Sequence, residues 1–217
     1  MLKVIFLDFD GVILESMDIK TNAFRELFKE YPERLNAIVE YHIKNGGLSR
    51  YKKFSYIYSN ILKQPLDDEK SKALGEKFSA LVLQKMLACP FVAGAQAFLK
   101  EYSKKVSLFV VSGIPQEELI FLAKERGLSI YFKGLYGAPA IKPEIMKRLL
   151  ESEGVKNEEA TYVGDSISDY EDAKKAGVPF IARVRESDKT DPFLEFGVPI
   201  IHDFHDLKRL LKRSHGL

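Results

Sequence analysis

Val4-Ile5-Phe6-Leu7-Asp8-Phe9-Asp10-Gly11 stands almost at the start of the chain: four large apolar residues, then two acids two positions apart, then a glycine. A continuous apolar run that ends in acids is the pattern of a strand buried on both faces, delivering its last residues to a functional edge. No partner strand follows at once. From about Asp18 the apolar spacing becomes helical, with Ile19, Ala23, Phe24, Leu27, Phe28 and Tyr31 on one face until Pro32 interrupts. Leu35, Ile38, Val39 and His42 repeat the pattern up to Gly46-Gly47, and Tyr51, Phe54, Tyr58, Ile61 and Leu62 form a third stripe closed by Gln64-Pro65. Asp67 is placed to cap a fourth helix carrying Leu74, Phe78, Leu81, Val82 and Met86, which stops before Cys89-Pro90. Residues 15–89 therefore read as a small all-helical unit.

Beyond Pro90 strands and helices alternate. Strands are expected at Val106–Val111, Ile130–Tyr136, Thr161–Val163, Phe180–Val184 and, more weakly patterned, Pro199–Ile201. Helices are expected at Ala95–Tyr102, Gln116–Arg126, Pro143–Ser152, Ser168–Ala176 and Asp206–Lys212. Such alternation implies a mostly parallel sheet with helices on both faces. The fold class is thus α/β, a Rossmann-like parallel sheet core built from residues 1–14 and 90–217, interrupted by the helical insertion at 15–89. Glu186–Asp191 reads as a polar connecting loop.

Composition narrows the function classes. The 217 residues carry 33 Lys+Arg and 31 Asp+Glu, a net charge of +2, which removes the usual electrostatic case for nucleic acid or an anionic membrane surface. No apolar run approaches the ~20 residues of a bilayer span. The first apolar run meets acids too soon for a secretory signal, and the single cysteine, Cys89, allows neither an intrachain disulfide nor a thiol cluster for zinc. A soluble, cytoplasmic protein is expected.

In open parallel sheets ligands bind beyond the carboxyl ends of the strands. Asp8-Phe9-Asp10-Gly11 follows the first expected strand, Ser112-Gly113 the second, Lys142-Pro143 comes after the third, and Gly164-Asp165 with Asp169 after the fourth. Asp8 and Asp10 face the same way on an extended segment, and two adjacent carboxylates repel unless a cation or a shared proton intervenes. With Asp165 and Asp169 they make an all-oxygen cluster suited to Mg²⁺ rather than zinc. Each piece also has a structural reading: an Asp-Gly turn, a Ser-Gly turn, a helix with proline at its first position, and acids at a helix N-terminus.

In this order, at four strand ends, Val4–Val12, Val110-Val-Ser-Gly113, Lys142-Pro143 and Val163-Gly-Asp-Ser-Ile-Ser-Asp169 resemble the haloacid dehalogenase-like phosphohydrolase superfamily, in the branch whose members carry a helical cap between the first and second motifs. The resemblance implies that Asp8 is the nucleophile, attacking phosphorus to form an aspartyl-phosphate. It implies that Asp10 is the general acid and base, and that its backbone carbonyl joins Asp8 and Asp165 around Mg²⁺. Ser112, Gly113 and Lys142 would hold the transferring phosphoryl group. Asp169 would orient Lys142 or complete the metal's surroundings. True dehalogenases lack an acid at the position of Asp10, so its presence here implies phosphoryl chemistry. Glu15 stands where many capped members have Asp, and Gly113 where Asn is frequent.

Within the cap, Gly47-Leu-Ser-Arg50 is similar to a loop that closes over substrate in some relatives, which makes Arg50 a candidate substrate-binding residue; the alternative is a solvated arginine beyond a helix end. Lys52 and Lys53 read mainly as exposed surface, His42 as incidental, and His202 with His205 as a helix entry capped by Asp203 or Asp206. The tail Leu207–Arg213 reads as an amphipathic helix docked on the core. The expected function is a Mg²⁺-dependent phosphatase acting on a small-molecule phosphomonoester, a sugar phosphate or a phosphoglycolate-like compound. A phosphomutase of the same chemistry, or a non-catalytic binding protein on the fold, are the alternatives.

Overall fold

A computed structural model describes residues 1–188 and 191–216 of the chain. Lys189 and Thr190, inside the expected polar loop, lie outside the described residues. Among the described residues six strands form one parallel sheet: β1 Val4–Leu7, β2 Ser107–Pro115, β3 Gly134–Ala138, β4 Ala160–Gly164, β5 Phe180–Arg183 and β6 Ile200–Ile201, in the order β3-β2-β1-β4-β5-β6. This is the doubly wound order, with its topological switch between β1 and β4.

The apolar run at residues 4–7 is explained by what covers it. Ile5 and Leu7 pack on one face of the sheet with Phe98, Leu99, Leu119, Leu122, Phe204, Leu207 and Leu211, from helices α5 Ala95–Tyr102, α6 Gln116–Glu125 and α9 Phe204–His215. Val4 and Phe6 pack on the other face against Ile145, Met146, Leu149, Leu150, Ala173 and Ala176, from α7 Lys142–Glu153 and α8 Ile167–Ala176. Alternate residues of a strand serve opposite faces, so both must be apolar when helices cover both. Each fully buried Phe or Leu contributes roughly 1.5–3 kcal/mol.

Between β1 and β2 the chain forms α1 Met17–Leu27, α2 Leu35–Lys44, α3 Arg50–Tyr56 continued by a π-helical turn at Ile57–Leu62, and α4 Asp68–Ala88. Asp67 caps α4, accepting from the Lys70 amide at 2.7 Å. Phe24, Phe28, Phe54 and Phe78 fill the middle of these helices, with Phe24 and Phe78 edge to face at 5.1 Å. The two crossings between the helices and the sheet are tied down. Glu15 takes a two-pronged ion pair from Arg183 at the end of β5, at 2.5 and 3.1 Å. Arg126 donates to the last carbonyls of α4, Met86 at 2.8 Å and Leu87 at 3.0 Å.

Two boundaries differ from expectation. Residues 129–131 form a short 3₁₀ turn and the third strand begins only at Gly134. β2 runs on past Val111 to Pro115, with a register shift against β3 over the added segment, so Ser112 and Gly113 lie in an irregular strand end rather than after it. Asp203 caps α9 by accepting from the Asp206 amide at 2.9 Å, and Leu207 and Leu211 are buried on the core, as the tail's pattern predicts. Among the described residues no helix is long and apolar enough to cross a membrane.

Candidate active site

β1 and β4 are neighbours, and their ends converge at the switch point. Asp8 follows β1 directly, its amide still bonded to the Val163 carbonyl at 3.0 Å, and Asp165 follows β4. Asp169 sits in the first turn of α8, whose N-cap Ser166 accepts from the Asp169 amide at 3.2 Å. Lys142 opens α7, with Pro143 next to it where a missing N–H costs nothing. Its ammonium reaches Asp8 Oδ1 at 3.1 Å and Asp169 Oδ1 at 2.6 Å. All three side chains are buried.

Tyr162, in the middle of β4, completes this arrangement. Lys142 Nζ donates to its hydroxyl at 2.9 Å; the hydroxyl in turn meets Asp169 Oδ1 at 2.8 Å and the Val111 carbonyl at 3.2 Å. In the sequence Tyr162 is marked only as part of the strand expected at Thr161–Val163. Nothing in period-two spacing marks a tyrosine whose hydroxyl reaches past β1 to a carbonyl of β2.

Electrostatics follow from burial and neighbours. Burial pushes the Asp8 carboxyl up to about 6 against the pull of Lys142. Burial, with the charges of Asp169 and Asp8 added, holds Asp165 well above the usual carboxylate range. Asp169 is also buried, yet Lys142 and the hydrogen bonds it receives keep it below its ordinary value. Burial opposes the charge of Lys142 but the two aspartates outweigh it, so the ammonium is retained.

Asp8, Asp165 and Asp169 each present an oxygen within 4.8 Å of the other two. Asp165 takes no hydrogen bond and no ion pair among the described residues. Three clustered carboxylates balanced by one lysine, one of them unpartnered, fit a hard divalent cation. The Asp10 carboxylate is not in this group. It accepts from Ser16 Oγ at 2.7 Å and is ion-paired with Lys20, both from the start of the helical insertion.

Asp8, Asp10, Ser112 and Gly113 share a cavity with Lys20, Phe24, His42, Gly46, Gly47, Arg50, Lys53 and Phe78. Its enclosed room is about 20 Å³, enough for about one water molecule. The helical insertion is therefore shut down on the sheet edge. The loop before α3 makes the tightest approach: a Cβ on Gly113 would lie 2.8 Å from the Gly47 carbonyl oxygen. This contact gives a reason for glycine at 113, because a longer residue would prop the loop open.

Of the expected residues, Asp8, Asp10, Ser112, Gly113 and Arg50 meet in this cavity, and Lys142, Asp165 and Asp169 adjoin Asp8. Arg50 is buried rather than solvated, and its guanidinium is already engaged, with Glu118 of α6 at 2.6 and 3.0 Å and with the Gly75 carbonyl at 3.3 Å. Two readings need correction. Lys53 is only 3% exposed and His42 only 1%, and both line the cavity. Helical periodicity places Lys53 on the surface because it carries no information about His42 and the Gly46 carbonyl, on which the Lys53 ammonium packs.

Residues 4–183 match the family described as haloacid dehalogenase-like hydrolase. The chain belongs to that family. The hydrolase is 25% identical over 220 residues to a phosphorylated carbohydrates phosphatase of Thermotoga maritima, covering 97% of this chain and 91% of the relative. Among solved structures it is similar to CbbY of Rhodobacter sphaeroides in complex with phosphate, at 18% identity and a TM-score of 0.74, covering 95% of this chain and 96% of that one. It is also similar to the magnesium-bound hydrolase YfnB of Bacillus subtilis, at 15% identity and a TM-score of 0.68, covering 97% and 99%. The α/β fold expected of the hydrolase is the one observed. Its enzyme class is phosphoric monoester hydrolase.

Proposed function

We propose that the protein is a Mg²⁺-dependent phosphatase of small phosphorylated metabolites, sugar phosphates among them, with Asp8 as its nucleophile. The observation that carries the reading is the buried lysine held between the aspartate at the end of β1 and the aspartate at the start of α8, beside the unpartnered Asp165. A carboxylate attacks an anionic phosphoryl group only where positive charge offsets the repulsion. Lys142 supplies one such charge, and Asp169 and Tyr162 hold its ammonium in place. Asp8, Asp165 and the backbone carbonyl of Asp10 would hold the cation, with Asp169 beside them, and its bound charge would lower the repulsion further.

Asp8 attacks phosphorus, the bond to the ester oxygen breaks, and the departing oxygen takes a proton from Asp10. Ser16 and Lys20 orient the Asp10 carboxylate for that transfer. Water then attacks the aspartyl-phosphate, gives its proton to Asp10, and leaves phosphate and a regenerated Asp8. Ser112 Oγ and the amide of Gly113 bind the equatorial oxygens at the irregular end of β2. The helices at 15–89 act as a cap over the core formed by 1–14 and 90–217. The name of the Thermotoga maritima relative supports phosphorylated carbohydrates as the substrate class.

The test is phosphate release from a panel of sugar phosphates and other phosphomonoesters with Mg²⁺ present. Release that Asp8→Asn abolishes is expected. Release undiminished by that substitution, or an isomerised ester without released phosphate, would overturn the reading.

A further inference from the structure

Four basic side chains lie in or beside the cavity, and three are matched by carboxylates: Lys20 by Asp10, Arg50 by Glu118, Lys142 by Asp8 and Asp169. Lys53 is the exception. Among the described residues its ammonium meets no carboxylate, only His42 Nδ1 at 3.2 Å and the carbonyls of Gly46 at 3.2 Å and His42 at 3.4 Å. An ammonium can only donate, so Nδ1 accepts and the ring hydrogen stands on Nε2. His42 Nε2 is buried and without a partner. The imidazole stacks on Phe24 at 4.0 Å, and Phe24 and Phe78 line the same cavity.

A buried donor without an acceptor and a buried ammonium without a counter-charge are both unfavourable, and both lack the same thing: a negatively charged oxygen. They sit side by side on the cap face of a cavity whose opposite face carries Asp8. We propose that His42 and Lys53 form a second anion subsite, which selects phosphomonoesters that carry a further carboxylate or phosphate group. The inference rests on the phosphatase reading for the first phosphate and adds the chemistry of the far end of the substrate. His42 Nε2 donates to the anionic oxygen and Lys53 supplies the charge. Burial, with the nearby Lys20 adding to it, holds the Lys53 ammonium down to about 7, and a bound anion would stabilise its charged form.

The test is calorimetric binding of three unreactive probes to the Mg²⁺-saturated protein: propylphosphonate, phosphonopropionate and propylenediphosphonate. At least one of the two probes with an anionic tail is expected to bind about tenfold or more tighter than propylphosphonate, the factor one charge-assisted hydrogen bond supplies. The stronger of the two identifies the tail as carboxylate or phosphate. Lys53→Met is expected to reduce that ratio to within about twofold and His42→Phe to reduce it several-fold, while Lys53→Arg keeps most of it. Equal binding of the three probes, no binding of any, or a ratio that survives Lys53→Met overturns the proposal. A preserved ratio in a protein that releases phosphate from no ester would instead overturn the phosphatase reading alone.

Discussion

The Gly47 amide donates to the Ser166 hydroxyl across 3.0 Å, fastening the loop between α2 and α3 to the start of α8. The same hydroxyl meets Asp169 Oδ2 at 2.6 Å, and the other oxygen of Asp169 holds Lys142. Closure of the helical insertion and the position of the lysine are therefore linked through one serine. Substitution at Gly47 should break the link without disturbing the core: an added Cβ would lie 2.5 Å from Asp169 Oδ1 and 2.8 Å from Ser166 Oγ. Gly47→Ala is expected to lower kcat/KM for phosphate release at least tenfold while its urea midpoint stays close to that of the parent. Ser166→Ala also removes the cap of α8 and should cost about 1 kcal/mol in the same unfolding measurement.

Asp165 is the acid whose removal should stabilise the metal-free protein. It takes no partner among the described residues, and Asp8, Asp10 and Asp169 all repel its charge. In metal-free buffer Asp165→Asn should raise the thermal midpoint. Mg²⁺ should raise the midpoint of the parent by several degrees, since a ligand at about 100 times its Kd adds about 2.7 kcal/mol. The rise should be absent in Asp165→Asn. A midpoint of the parent that does not respond to Mg²⁺ would remove the cation from the proposed mechanism.

Arg50 and Glu118 join the insertion to α6 by two hydrogen bonds, and Ser79 Oγ also contacts the same carboxylate. A double-mutant cycle of Arg50→Met and Glu118→Gln, read by urea unfolding, should return a coupling of about 1–3 kcal/mol. Additive effects would show that the pair holds nothing.

Lys53 should leave a signature in stability against pH. Its ordinary value of 10.5 applies to the unfolded chain, and the folded value lies at about 7. Between these values the unfolded state binds the extra proton, so stability rises as pH increases from about 7 towards 10.5. Below about 7 both states are protonated and the full cost of burying the charge is present. The gain across the window is on the order of a few kcal/mol. Subtracting the profile of Lys53→Met, by urea unfolding at each pH, isolates it. A flat difference would show that Lys53 is charged in the folded protein throughout.

Much of the fold was legible because the signals are local. The run Val4–Leu7 is apolar on both faces and could only be a central strand; it became β1, between β2 and β4. The acids, the Ser-Gly pair and the lysine were legible because doubly wound sheets present strand ends at one edge, so position along the chain translates into position in space. Strand boundaries were less so. Ile130 fits a strand by composition yet lies in a 3₁₀ turn, and β2 continues through an irregular end that no alternation marks.

What the sequence by itself determined is the set of chemical groups and the edge at which they gather: Asp8, Asp10, Ser112, Lys142, Asp165 and Asp169. Each is encoded within a few residues of its own strand or helix terminus. Only the tertiary structure decided which charges are already spent. Arg50, the candidate anion binder of its loop, is neutralised by Glu118, 68 positions away, while Lys53, one helical turn further on, is buried beside His42 without a counter-charge among the described residues. Charge pairing depends on which surfaces fold against each other, and helical periodicity carries no information about the partner surface.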